Sequence, residues 1–154
     1  MLTPDETKEI DHELELYERK QAACIEALKI VQRHRGWISD ESIHDIAAKL
    51  DMSVDELDGV ATFYNLIYRR PVGRHVIHVC DSVSCWLTGY EEQLAHLERR
   101  LGVSYGQTTP DERFTLLPVP CLGACDRAPA MMVDRETHGD LSPERIDEIL
   151  ERYE

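Results

Sequence analysis

No apolar run in this 154-residue chain approaches the roughly 20 residues that a membrane-spanning helix needs, so no direct insertion into a membrane is expected. The N-terminus, M-L-T-P-D-E-T-K-E-I-D, is acidic and has no apolar core segment, which argues against a secretory signal. Neither G-x-G-x-x-G nor G-x-x-x-x-G-K-[ST] occurs, so the chain has no recognisable nucleotide cradle of its own. C-x-x-C is absent too, and with it the usual motif for thiol–disulfide exchange. No Ser/His/Asp-type arrangement can be inferred, and no catalytic residue is assigned. Positive charge is scarce: 17 Lys and Arg against 30 Asp and Glu leave a net charge of −13. Such a surface repels phosphate backbones and excludes nucleic acid as an expected partner. It serves solubility, or complements a basic protein partner. There are no internal repeats and no low-complexity tracts.

What the chain does have is cysteine in pairs. Cys80 and Cys85 form C-x4-C in C-D-S-V-S-C, and Cys121 and Cys125 form C-x3-C in C-L-G-A-C, with 35 residues between the pairs. In a reducing cytosol, the expected compartment, paired cysteines mean metal or redox chemistry more often than structural disulfides. The total of five cysteines is odd, which weakens a disulfide framework further. Two thiolate pairs on neighbouring loops suit a [2Fe–2S] cluster. Four thiolates also suit a structural zinc, the basis of an alternative reading as a zinc-stabilised interaction module. Zinc sites favour C-x2-C knuckles, however, so the x4 and x3 spacings favour iron–sulfur chemistry. The plant-type ferredoxin spacing C-x4-C-x2-C is absent. Colour separates the two readings: a [2Fe–2S] protein is red-brown and a zinc protein colourless.

The first 70 residues read as helices. Thr3-Pro4-Asp5-Glu6 is a capping box that opens a helix with Ile10, Leu14 and Tyr17 on one face. A second helix runs from Ala22 to Arg35 and stops at Gly36, with Cys24 as a small buried residue in its middle. A third, from Ser39-Asp40, carries the stripe Ile43, Ile46, Ala47 and Leu50. A fourth starts at Ser53 and continues through G-V-A-T-F-Y-N-L-I-Y. Pro71-Val72-Gly73 then breaks the pattern.

From residue 74 the expected order is β-α-β-β-β-α, a compact sheet of thioredoxin type with helices packed on it. R-H-V-I-H-V is a strand ending at Cys80, and R-F-T-L-L-P-V a second ending just before Cys121. Thr88-Gly89-Tyr90-Glu91 is expected to cap the intervening helix, with Leu94, Leu97 and Leu101 inward. A third strand, A-M-M-V-D, pairs in a hairpin with a fourth near His138–Leu141, and Ser142 starts a last helix with Ile146, Ile149, Leu150 and Tyr153 on one face. The β-α-β connection makes the first two strands parallel, so both cysteine loops emerge on one edge. Gly123 lets the second loop turn tightly, and backbone N–H groups there can donate to sulfur. His75 and His78 point to opposite strand faces and cannot form one ligand pair; both are expected at surface or partly buried positions. Trp86 is read as plain packing rather than a shield, and Met131-Met132 as core filling.

At C-D-S-V-S-C and P-C-L-G-A-C-D-R-A-P-A-M-M-V-D the chain resembles the thioredoxin-like [2Fe–2S] ferredoxin family. Within it the resemblance is to the small [2Fe–2S] subunit of bacterial NADH–quinone oxidoreductase (respiratory complex I), known as its E subunit. It extends through E-A-L-K-I-V-Q-R-H-R-G-W, G-V-A-T-F-Y and R-P-V-G-R-H-V-I-H-V-C, roughly residues 10–153. It implies an α/β chain: a helical bundle or arm over residues 1–70, then a thioredoxin-like cluster domain over 71–154. It implies one [2Fe–2S] cluster on Cys80, Cys85, Cys121 and Cys125, and an electron-transfer role without a complete active site. FMN and NADH would sit on a partner flavoprotein, with other peripheral-arm subunits as further neighbours. The cluster would exchange single electrons with the flavin on a side branch. The expected location is cytoplasmic, peripheral to the inner membrane through the complex. The equivalent small subunits of NAD-linked hydrogenase and formate dehydrogenase diaphorases are the alternative parents. Pro120 departs from the pattern by removing a backbone N–H beside Cys121.

Overall fold

The computed structural model describes residues 1–153 and divides the chain into two compact units, Met1–Pro71 and Val72–Glu154. Glu154, at the end of the second expected domain, lies outside the described residues.

The first unit is helical. α1 (Pro4–Leu14) begins at the Thr3 cap, whose hydroxyl accepts from the Glu6 N–H while the Glu6 carboxylate accepts from the Thr3 N–H. It is shorter than expected: Tyr17 lies beyond its end and is exposed. A 3-10 turn over Lys20–Ala23 leads into α2 (Cys24–Arg35), which Gly36 ends at φ 82°. Cys24 therefore opens α2 rather than sitting within it, and it is only partly buried. α3 (Asp40–Leu50) is capped by Ser39, and all four residues of its expected stripe are buried. α4 (Val54–Phe63) has the Ser53–Glu56 capping box but stops short of the expected Tyr68. The cause is tertiary. The Gln32 side-chain amide donates to the Leu66 carbonyl (2.8 Å) and accepts from the Tyr68 N–H (2.6 Å), so α2 takes over backbone groups that a longer helix would use. Ile10, Leu28, Ile46 and Leu57 are fully buried in the shared apolar core.

Glu6 is fully buried within that unit. Its two carboxylate oxygens accept from Arg35 Nε and Nη2, both at 2.7 Å, and Arg35 Nη1 reaches the Ser42 hydroxyl. A two-pronged pair of this kind joins α1, α2 and α3. The Arg35 bonds pull the Glu6 carboxyl down to about 2.

The second unit is a four-stranded sheet in the order β2-β1-β3-β4. β1 (His75–Cys80) runs parallel to β2 (Phe114–Val119) and antiparallel to β3 (Met131–Val133), which pairs with β4 (Glu136–His138). β4 lies earlier than expected because Asp134, at φ 55°, turns the chain at once and pairs Val133 with Glu136. Between β1 and β2 the chain forms two helices where one is expected: α5 (Val83–Leu87) and α6 (Tyr90–Leu101). Thr88 does not cap α6. Its hydroxyl donates back to the Ser84 carbonyl, so it closes α5 instead. α7 (Pro143–Leu150) is capped by Ser142; Tyr153 lies past its end. Ile77 and Val79 share a core with Leu97 of α6 and Ile146 of α7, so both helices cover that face of β1. His78 points to the opposite face and is fully buried, which corrects its expected position near the surface. Met131 and Met132 are buried, as core filling requires.

Candidate metal centre

The parallel register sets Cys80 opposite Val119, so the chain leaves both strands at the same sheet edge. Cys80 is the last residue of β1, held by its N–H to the Ala130 carbonyl (3.1 Å); the next N–H, of Asp81, donates to the Val119 carbonyl (3.1 Å). Cys85 follows within α5, on the one turn that faces inward. Cys121 comes two residues after β2, and Cys125 opens a 3-10 turn over Cys125–Arg127. Gly139 supports that turn from behind. A Cβ on Gly139 would lie 2.5 Å from Arg127 Cβ, and Asp140 donates its N–H to the Arg127 carbonyl (2.6 Å).

All five cysteines are free thiols. The Cys121 and Cys125 sulfurs stand 4.0 Å apart. Two sulfurs bonded at about 2.3 Å to one tetrahedral metal ion stand about 3.8 Å apart, so this pair is already close to chelating geometry. Cys85 in turn adjoins Cys80, and Cys121 adjoins Cys80 as well as Cys125. The four cysteines are thus neighbours, with Cys80 adjoining both Cys85 and Cys121. Among the described residues no three His, Cys, Asp or Glu side chains converge on a point that would hold a single metal ion.

The two pairs differ in exposure. Cys80 and Cys85 are each 2% exposed, inside a small apolar cluster with Val119 and Ala130. Cys121 and Cys125 are exposed. Burial pushes the Cys85 thiol up to about 11, with the neighbouring Cys80 adding to the shift. The Cys121 thiol is held below the ordinary range, first by the Gly123 N–H, which donates to its sulfur at 3.3 Å, and then by Cys125. Gly123 reaches that position at φ 74°, a conformation that disfavours a side chain. Trp86 neither packs nor shields: it is 57% exposed, with its indole N–H directed at Glu91. Together with Val83 and Leu87 it forms an apolar patch on α5, around Cys85. The supporting role of Gly139 has no signal in spacing, because it depends on a contact made across the fold.

The profile of thioredoxin-like [2Fe–2S] ferredoxins matches residues 10–154 of the chain. The E subunit of the NADH-quinone oxidoreductase of Escherichia coli (strain K12) is 55% identical over 152 residues, which is 99% of this chain and 92% of that one. Its counterpart in Pseudomonas aeruginosa is 50% identical over 153 residues, again 99% of this chain and 92% of that one. Among solved structures, NAD+-reducing [NiFe]-hydrogenase superposes with a TM-score of 0.71 at 25% identity, over 84% of this chain and 22% of the hydrogenase chain.

Proposed function

The chain belongs to the thioredoxin-like [2Fe–2S] ferredoxin family, and on that premise we propose that Cys80 and Cys85 bind one iron of its cluster and Cys121 and Cys125 the other. The chain carries one [2Fe–2S] cluster and serves as an electron-transfer subunit of an NADH–quinone oxidoreductase. FMN and NADH belong to other subunits of that complex. The bound cluster supplies a site that takes up and releases one electron at a time.

The observation that carries the ligand assignment is the 4.0 Å separation of the Cys121 and Cys125 sulfurs, with Cys85 adjoining Cys80. A mononuclear zinc site needs four thiolates around one point, whereas a two-iron cluster needs two pairs. The protein's own contributions follow from the placement of each pair. Cys80 and Cys85 anchor the site in apolar surroundings from which water is excluded. The Gly123 N–H donates to the Cys121 sulfur and favours negative charge on it.

The partner is a flavoprotein that holds FMN and oxidises NADH. Val83, Trp86 and Leu87, on the helix that carries Cys85, form its contact, because an electron-transfer site has to be approached closely and an apolar patch there is costly to leave in water. In the helical unit, Phe63, Tyr64 and Leu66 are exposed where α4 ends and form a further contact with partner subunits. Among the described residues no helix is long and apolar enough to cross a membrane. Its partners hold the chain at the cytoplasmic side of the inner membrane. The hydrogenase alternative is disfavoured by identity: 25% to the hydrogenase against 50% and 55% to the two quinone-oxidoreductase relatives.

Iron and acid-labile sulfide analysis of anaerobically purified protein, with EPR spectroscopy, tests the assignment. Two irons and two sulfides per chain are expected, with an EPR signal only after one-electron reduction. One zinc per chain from iron-replete cells would overturn it.

A further inference from the structure

We infer that Tyr90, pinned by Tyr105, is a positioning residue that packs behind the buried cysteines Cys80 and Cys85 and sets how far water reaches a bound cluster. The inference rests on the four-cysteine assignment above. Tyr90 is the first residue of α6, directly after Gly89 at φ 100° and next to the helix that carries Cys85. Its side chain packs against two apolar clusters at once: the main core of the second unit, and the small cluster of Cys80, Cys85, Val119 and Ala130. It is the one aromatic ring among the described side chains packed against that smaller cluster.

The Tyr90 hydroxyl stands 2.9 Å from the Tyr105 hydroxyl, and Tyr105 lies on the connection between α6 and β2, packed against the main core. Packing alone does not call for this pair. Two phenylalanines would fill nearly the same volume, and replacing both partners of a partly buried hydrogen bond such as this by apolar groups of the same shape is close to neutral for stability. What the bond adds is orientation. It fixes the plane and depth of the Tyr90 ring, much as other buried polar pairs select one arrangement out of several.

The consequence is electrostatic. The reduced cluster carries one more negative charge than the oxidised one, and a dry wall disfavours that charge. A ring that is free to shift admits water, so the reduction potential rises and small chelators gain access. Tyr90 acts here through solvation, not by ligating iron.

The test uses the full chain, loaded with its cluster and checked for iron and sulfide. The variants are Tyr90→Phe, Tyr105→Phe, the double Phe variant and Tyr90→Leu. Each is read by redox titration, by the rate at which an iron chelator bleaches the visible absorption, and by thermal unfolding. The expected result is a more positive potential and about tenfold faster bleaching in both single Phe variants, the low end of the loss seen when a supporting contact is removed from a metal site. The double variant should match the single ones, because the two hydroxyls act as a unit. Tyr90→Leu should exceed them all. Lower unfolding temperatures with unchanged potentials and bleaching rates would overturn the inference and leave the cysteine assignment standing. A wild-type chain without iron and sulfide would overturn both.

Discussion

Cys80 lies opposite Val119 across the parallel β1–β2 ladder, two residues before the chain reaches Cys121. That one pairing brings together thiols far apart in sequence, and it gives the two pairs unequal surroundings. Cys80 and Cys85 are inside the fold, while Cys121 and Cys125 face solvent.

All four thiols are needed for a stable cluster, whereas Cys24 is not. Replacing any of the four by Ala should abolish or badly destabilise the visible absorption of the cluster. Cys24→Ala should leave iron and sulfide content unchanged, at a packing cost of about 1 kcal/mol for a small, partly buried group. Absorption spectra with iron analysis read both outcomes. Loss of the cluster in Cys24→Ala alone would contradict the assignment.

Gly139 is expected to matter for loading although it touches no sulfur. Any side chain there meets the Arg127 backbone and Cβ, so Gly139→Ala has to push the Cys125–Arg127 turn away. The expected cost is about 1–3 kcal/mol, typical of overpacking, with reduced cluster occupancy. Full occupancy and unchanged stability would show that the turn gives way freely.

The Glu6–Arg35 pair sets an acid limit on the helical unit. Glu6 has a folded pKa of about 2 against an ordinary value of 4.5. A lowered carboxyl pKa stabilises the fold fully above the unfolded value, and that contribution is lost as pH falls from about 4.5 toward 2. Wild type should therefore lose more thermal stability than Glu6→Gln between about pH 6 and about pH 3.5, a window in which losses common to both chains cancel. Arg35→Ala leaves a carboxylate buried without its partner and should cost about 3 kcal/mol at neutral pH. Parallel pH profiles for wild type and Glu6→Gln would refute this role.

Much of this architecture is legible in the residues, and the parts that are not share a cause. The capping boxes at Thr3 and Ser53 are local, made by side chains three positions apart, and both form. The end of α4 is not local: its apolar periodicity runs on to Tyr68, but the Gln32 amide takes the backbone of that segment. α5 spans five residues, too few to show a period, and so Thr88 reads as the cap of the next helix. His78 illustrates another limit. Alternation tells which residues share a strand face, not whether both faces are covered. At the site, the four cysteines and Gly123 are visible in spacing and composition. The contrast between a buried and an exposed pair depends on where α5 packs.

The exposed residues of α5 should carry binding rather than loading. Trp86→Ala and Leu87→Ser remove apolar area that is already solvent-exposed in this chain, so neither should change iron content. Each should weaken association with the flavoprotein by about tenfold or more, as loss of a central apolar anchor does. Titration calorimetry with the purified flavoprotein measures this, and unchanged affinity in the double variant would place the contact elsewhere.

Stopped-flow reduction by NADH tests most directly whether this chain serves a partner's flavin. The loaded chain is mixed with NADH alone, then with NADH and the FMN-containing flavoprotein, while cluster bleaching is followed. The expected result is no rapid reduction of the isolated chain and rapid reduction once the flavoprotein is present. Rapid reduction of the isolated, flavin-free chain would contradict the account, and so would an unchanged rate when the flavoprotein is added.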